Sequence, residues 1–117
     1  MTSLEETMKL INLTPHEVTL MNGEETVTRI PPSGTNARVG MTRAKVGSVP
    51  TDGHQFPIYQ AQLGQVEGLP EPEADTLLIV SRVVAEACRD RNDLVIPDEA
   101  VRDAQGRIVG CRAFARV

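Results

Sequence analysis

The sequence predicts an α/β fold of the α+β type, with a mixed, mostly antiparallel sheet and one packed helix. Three observations support this prediction. The apolar residues are mainly aliphatic, since the chain has no Trp, one Tyr and two Phe, and β-branched side chains favour strands. Short strand-like segments separated by turn residues run through most of the chain. One stretch, residues 76–96, has the pattern of a strand, a helix and a second strand.

The first elements are a strand and a hairpin. Residues 8–13 (MKLINL) have the composition of a strand, and Pro15 ends it because proline cannot donate a ladder hydrogen bond. Residues 17–21 and 26–30 flank Asn22-Gly23. That dipeptide readily adopts the positive φ angles of a hairpin turn, so the two segments are expected to pair.

The middle of the chain is the least regular part. Residues 35–56 are rich in Gly, Thr and Arg and have no sustained hydrophobic period. They contain two short candidate strands, residues 37–39 and 45–49, and a turn at residues 50–53 (PTDG). Residues 57–66 (PIYQAQLGQV) are predicted to form a further strand, which the turn residues after it bring to an end.

Residues 76–96 are the clearest local signal. TLLIV at 76–80 is apolar on both faces, which is typical of a central strand covered on two sides. Ser81 is a favourable N-cap, and a helix is expected to follow it through Arg91. Its predicted apolar stripe is Val83, Val84, Ala87 and Cys88. The second strand, residues 93–96, is expected to stop at Pro97, giving a βαβ unit.

The last predicted elements are two strands, residues 100–103 and 107–117, around Ala104-Gln105-Gly106. The whole chain of 117 residues is of a size that fits one domain. The sequence therefore predicts a single domain over residues 1–117, in which residues 1–7 form a frayed leader.

Composition excludes several function classes. A net charge of −4 and a pI near 5.1 argue against non-specific binding to nucleic acid or to anionic membranes, which needs a basic surface. The N-terminus has no apolar segment of a signal peptide, so a cytoplasmic location is expected. Cys88 and Cys111 have no metal-ligand spacing with each other or with histidine, and dinucleotide and P-loop fingerprints are missing. No metal and no cofactor are therefore expected.

Asn12, Thr14 and His16 are the first group of candidate site residues. An extended backbone would place the three side chains on one face at the end of a strand. There they could bind a sugar or a base edge, with His16 able to act as an acid or base. The alternative is a polar turn in which Asn12 and Thr14 bond to local backbone groups.

Ser81 and Arg82 are the second group. A helix N-terminus at the end of a central strand offers N–H donors to an anion, and open α/β sheets place ligands at such strand ends. The alternative is an ordinary N-cap beside an exposed arginine. Arg38, which follows the Pro-Ser-Gly loop of residues 32–34, is a further candidate, because a guanidinium can bind a phosphate or carboxylate.

Several segments together carry a resemblance. NLTPH, IPPSGTNAR, VSRVVAEA and GRIVGCR, within residues 10–113, resemble segments of a group of small proteins of bacteria and their phages that has no established activity. Small phage proteins of this size often block host defences, some by sequestering nucleotide signals in a preformed pocket. The resemblance thus implies a sequestering role by context alone.

Three interpretations of function remain open. The leading one is a non-catalytic protein that binds a small anionic, nucleotide-derived ligand, with six contact residues: Asn12, Thr14, His16, Arg38, Ser81 and Arg82. The second is an enzyme that cleaves a phosphodiester or glycosidic bond of such a ligand, with His16 as acid or base. The third is a module that binds protein, such as a virion-associated component. A homo-oligomer is compatible with each interpretation.

Overall fold

The structure, a computed structural model, describes residues 8–117. The expected leader, residues 1–7, lies outside the described residues. The elements in chain order are β1 (Lys9–Asn12), β2 (Val18–Asn22), β3 (Glu25–Ile30), β4 (Arg38–Thr51), β5 (His54–Glu67), β6 (Thr76–Ile79), α1 (Arg82–Ala87), β7 (Leu94–Arg102) and β8 (Ile108–Ala115).

Six strands form a mixed sheet in the order β1-β6-β7-β8-β2-β3. β1, β6 and β7 are parallel, and so are β2 and β8, whereas β7 with β8 and β2 with β3 are antiparallel. Most cross-strand residue pairs are antiparallel, in the six-stranded sheet as well as in the separate β4–β5 hairpin. The predicted fold class, a mixed sheet with one helix, is confirmed.

The βαβ unit is confirmed with a shorter helix than expected. Ser81 is the N-cap, and its hydroxyl oxygen accepts the Val84 N–H. The helix ends at Ala87, so the prediction that Arg91 lies in its last turn was wrong. Val84 and Ala85 are the buried residues of α1. Within the described residues, no helix has the length and apolar character needed to span a bilayer.

The β2–β3 hairpin confirms the predicted pairing and shifts its turn by one residue. The turn is Gly23-Glu24, with φ +66° at Gly23. A glycine at the first central position of a two-residue turn suits the right-handed twist of the flanking strands. The predicted hairpin is therefore correct, but the prediction placed Asn22 in the turn, whereas Asn22 is the last residue of β2.

Residues 38–67 form a long hairpin, here called the arm. The short strands predicted within residues 35–56 were wrong, because β4 and β5 are continuous strands of 14 residues each that pair antiparallel along their whole length. They are joined by Asp52 and Gly53, whose φ angles are +50° and +79°. The molecule measures 64 × 40 × 28 Å, and its radius of gyration is 18.6 Å, against about 13 Å for a compact domain of this length.

The arm joins the rest of the described molecule, here called the body, where two backbone segments pass close together. Val39 and Val66, paired across the arm's base, pack against the core beneath α1. Gly68, directly after the arm, has φ +79°, and a Cβ there would overlap the carbonyl oxygen of Asn36. Only glycine satisfies both conditions, so Gly68 sets where the arm leaves the body.

β7 continues past Pro97, contrary to the prediction that this proline stops the strand. Leu94 and Val95, the first two residues of β7, pair with β6, and the strand pairs with β8 from Ile96 through Arg102. β6 ends opposite Val95, so from Pro97 onward one edge of β7 has no strand partner among residues 8–117. A proline is tolerated at such an edge.

The core consists of two clusters on opposite faces of the sheet. Alternating residues of β6 and β7 divide between them because successive side chains of a strand point to opposite faces. The face that carries α1 contains Leu13, Ala37, Leu78, Val80, Val84, Ala85, Leu94 and Ile96. The other face contains Val18, Ile79, Val95 and Cys111.

An ion pair between Arg91 and Asp93 fixes the segment that joins α1 to β7. The guanidinium donates two hydrogen bonds to the carboxylate, with N–O distances of 2.9 and 2.7 Å, and a third to the carbonyl of Pro70 at 3.0 Å. Both side chains are largely buried. The hydrogen bond from Arg91 lowers the pKa of Asp93, which means that the folded state favours the charged carboxylate.

Asp93→Asn should lower the free energy of unfolding by about 2–3 kcal/mol at neutral pH, because charge-assisted bonds are replaced by neutral ones. Because the pKa of Asp93 is lower in the folded state, its charged carboxylate stabilises the fold at pH values above the unfolded pKa of about 3.9. This stabilisation is lost as the pH falls through the folded pKa. Urea unfolding at several pH values should therefore show the two proteins converging below about pH 4.

Glu17→Gln is the matched control, because Glu17 and Arg29 form an exposed pair 3.8 Å apart. It should change stability by less than about 1 kcal/mol. If the difference in free energy of unfolding between the parent and Asp93→Asn stayed constant down to pH 2, the ion pair would not be the source of the stabilisation.

Candidate functional site

The carboxyl ends of three parallel strands lie side by side at one edge of the sheet. β1, β6 and β7 all end there, and Leu13 and Val80 extend the ladder by bonding the carbonyls of Ile79 and Val95. The chain then passes from β1 to β2, which lies beyond β7 and β8 in the sheet. Asn12 at the end of β1 also contacts Ile30 at the end of β3, and residues 13–17, here called the crossing segment, lie beside the carboxyl ends of β6 and β7.

Asn12 holds this crossing segment in place. Its side chain is 1% exposed. The amide nitrogen donates to the carbonyls of His16 at 2.7 Å and Ile30 at 3.0 Å. The amide oxygen accepts the N–H of Thr14 at 3.0 Å and its hydroxyl at 2.7 Å. Both donors and both acceptor positions of the amide are thus occupied.

A cleft of about 860 Å³ opens between the crossing segment, the β6–α1 junction and the projecting part of the β7–β8 hairpin. Residues 14–19, 80–82 and 108–111 line it, together with residues 96–98 and Ala100 of β7. Segments far apart in the chain meet here because the sheet order interleaves them. The volume lies within the range of small-molecule sites.

Four of the six candidate residues line this cleft: Thr14, His16, Ser81 and Arg82. Asn12 is buried and does not line the cleft. Its side chain bonds to nearby backbone groups, as the polar-turn alternative predicts. Arg38 is separate from the cleft, because it is the exposed first residue of β4 at the base of the arm. The structure thus brings together two groups of residues that the sequence suggested independently, and it separates Arg38 from both.

The charges at the cleft are mixed. The Arg82 side chain is 70% exposed, and its Nε lies 3.2 Å from Glu86 Oε1. Glu17 and Asp98 contribute two carboxylates to the lining. The helix adds little field, since six residues make fewer than two turns and the Ser81 hydroxyl already accepts a helix N–H. The cleft is therefore less cationic than the sequence suggested.

The floor of the cleft is apolar. Val18, Val80, Ile96 and Cys111 are buried there, and Val109 is exposed at its edge. Burial raises the pKa of the Cys111 thiol, so at neutral pH the thiol is protonated and a poor nucleophile. Cys111 therefore acts in the floor as a small hydrophobic side chain.

Among residues 8–117, no three or more His, Cys, Asp or Glu side chains are grouped so as to hold a metal ion. Cys88 and Cys111 are both free thiols, and Cys88 is half-buried at the end of α1.

Asp98 and Val109 are lining residues that the sequence did not assign to the site. Asp98 belongs to a mixed series of Arg and Asp residues that is typical of a solvated surface, and Val109 was one of an alternating series with no feature of its own. Both reach the cleft through the sheet order, in which β8 lies between β7 and β2. A single sequence carries no signal for that order.

No protein-family model, curated protein or solved structure matches the chain. The site is therefore interpreted from its own geometry.

Asn12→Ala should lower the free energy of unfolding by about 2–4 kcal/mol, because two carbonyls and the Thr14 hydroxyl lose a buried partner. Chemical denaturation followed by circular dichroism measures this change. Asn92→Ala, which removes an exposed amide between α1 and β7, is the control and should leave stability within about 0.5 kcal/mol. Equal stability of the two variants would show that Asn12 does not hold the crossing segment.

Proposed function

We propose that this protein binds a small nucleotide-derived anion in the cleft at the carboxyl ends of β6 and β7. The observation that carries the proposal is the convergence of Thr14 and His16 with Ser81 and Arg82 over an apolar floor. Ligand sites commonly combine an apolar lining with a few polar groups that fix orientation.

The lining suggests which part of the ligand lies where. The apolar floor suits the flat face of a base. The hydroxyl of Ser81, the imidazole of His16 and the guanidinium of Arg82 can all donate to a phosphate. The carboxylates of Glu17 and Asp98 can accept hydrogen bonds from ribose hydroxyls or from the N–H groups of a base.

The mixed charge limits the number of phosphates. One guanidinium, already paired with Glu86, faces two carboxylates at the cleft. Because like charges at short range are unfavourable, a triphosphate would be repelled more than a mononucleotide or a cyclic nucleotide. The proposed ligand class is therefore a nucleotide with one or two phosphate charges.

Binding without turnover is favoured over catalysis. The Cys111 thiol is protonated at neutral pH because burial raises its pKa, and Thr14 is bonded to Asn12 and adjacent backbone. His16 is the lining residue best suited to proton transfer. Sequestration of a nucleotide signal is the biological use that the resemblance to phage proteins implies.

Mass spectrometry of small molecules released by denaturing the purified protein identifies a bound ligand and shows whether it is unchanged. Calorimetric titration with mono-, di- and cyclic nucleotides then measures affinity. Arg82→Ala should weaken binding about tenfold, equivalent to about 1.4 kcal/mol. Ala100→Trp should abolish binding, because Ala100 lines the cleft and an indole there would fill it.

Ala104→Trp is the matched control, since Ala104 lies in the exposed β7–β8 turn and outside the cleft lining. It should bind like the parent. Recovery of a cleaved nucleotide would favour the enzyme interpretation. If no nucleotide binds, or if one binds equally to the parent and Ala100→Trp, the proposal is wrong.

A further inference from the structure

The arm has no packing partner within the described residues beyond its base. Every residue from Gly40 to Gln65 is exposed. An isolated two-stranded hairpin is marginally stable at best in water, and stability normally requires a third strand or a packed face. The arm's two strands span about 46 Å at the usual rise per residue. An element of this length is therefore incomplete by itself.

The surface of the arm has the composition of an interface. Of the large hydrophobic residues that are exposed in residues 8–117, most lie on the arm: Met41, Val46, Val49, Phe56, Ile58, Tyr59 and Leu63. The guanidinium of Arg43 lies 4.4 Å from the centre of the Tyr59 ring. Protein interfaces are enriched in aromatic residues, Met and Arg, and are depleted of Lys, Asp and Glu.

The two edges of the arm differ in charge. β4 carries Arg38, Arg43 and Lys45, whereas β5 has no Lys, Arg, Asp or Glu before its last residue, Glu67. Natural proteins commonly protect exposed strand edges with charged side chains, lysine above all, or with proline. β4 has this protection at its three cations and at Pro50, near the tip. β5 has only Pro57, near the tip, so its edge is the one left open to another strand.

We propose that β5 pairs antiparallel with β5 of a second copy of this chain, about a twofold axis. Two hairpins would then form a four-stranded sheet with β4 strands at its outer edges. β5 carries no charge from Gln55 to Val66, so two β5 strands can pair without like charges opposite each other, whereas β4 carries three cations. The pairing is isologous and closes at a dimer.

The side chains of β5 select the register. Centring the pair on Ala61 places Tyr59 opposite Leu63 of the partner subunit and Gln60 opposite Gln62 of the partner subunit. Aromatic–aliphatic cross-strand pairs stabilise a sheet. The pairing engages the 14 residues of β5 on each side, fewer than the roughly 20–30 residues of a standard interface, so we expect a weak dimer that dissociates on dilution.

Sedimentation of the full chain from about 1 to 100 μM tests the dimer. The parent should dimerise, and Leu63→Asp should raise the dimer dissociation constant at least tenfold. Val27→Asp, an equally drastic change at an exposed site on β3, should leave the dissociation constant unchanged. Circular dichroism of both variants checks that they are folded.

Disulfide trapping tests the register in a Cys88→Ser background. Ala61→Cys should form a covalent dimer under mild oxidation, since residues directly opposite each other have Cβ atoms about 4.5–5.5 Å apart, close enough for a bridge after a small shift. Ala44→Cys, exposed on β4 and paired with Gln60 inside the arm, should form no covalent dimer.

Either of two results overturns the proposal. One is a parent chain that stays monomeric at 100 μM, whether or not the arm then binds another protein or a nucleic acid. The other is a dimer that survives Leu63→Asp or that cross-links through Ala44→Cys as readily as through Ala61→Cys.

Discussion

The buried amide of Asn12 fixes the connection between β1 and β2. β1 lies at one edge, and the next strand in the chain, β2, lies four places away. The connecting segment lies beside strand ends whose last carbonyls and amides need partners. Asn12 fixes the start of this segment, because one side chain bonds to Thr14, His16 and the end of β3. The Thr14 N–H and the His16 carbonyl are thereby satisfied within the protein.

The cleft is a consequence of that connection. With residues 13–17 held above the sheet, the space between them and the β7–β8 hairpin stays open. Its floor is the apolar edge of the core, and its rim is made of short polar side chains. A bound ligand would contact mainly apolar surface and only a few oriented donors. Its binding would therefore depend more on shape and orientation than on strong electrostatic attraction.

Local signals in the sequence predicted the parts of the fold that depend on neighbouring residues. The run before Ser81, the cap itself and the start of the helix follow from composition within about ten residues. The arm did not follow, for two physical reasons. Bulges between Val39 and Met41 and between Lys45 and Gly47 interrupt its alternation. Moreover, neither face of the arm is buried by the chain, so no apolar-in, polar-out pattern marks it as a pair of strands.

The candidate site was predictable only as separate pieces. The sequence indicated Thr14 and His16 in one place and Ser81 and Arg82 in another, each from a strand end, but their meeting depends on strand order. Asn12 was assigned to the ligand or to local backbone, and its hydrogen bonds match the backbone alternative. Arg38 was placed with the site by its chemistry, whereas it begins a strand that leads away from the body.

Hydrogen exchange of the Thr14 amide tests the role of Asn12 most directly. This N–H donates to Asn12 Oδ1 at 3.0 Å, although Thr14 lies in a loop at the surface of the molecule. NMR exchange at neutral pH should show protection well above that of an open loop amide. In Asn12→Ala this protection should be lost, while the amide of Leu78, bonded to the Asp93 carbonyl, stays protected. A Thr14 amide that exchanges at the rate of an unstructured peptide in the parent protein would contradict the account.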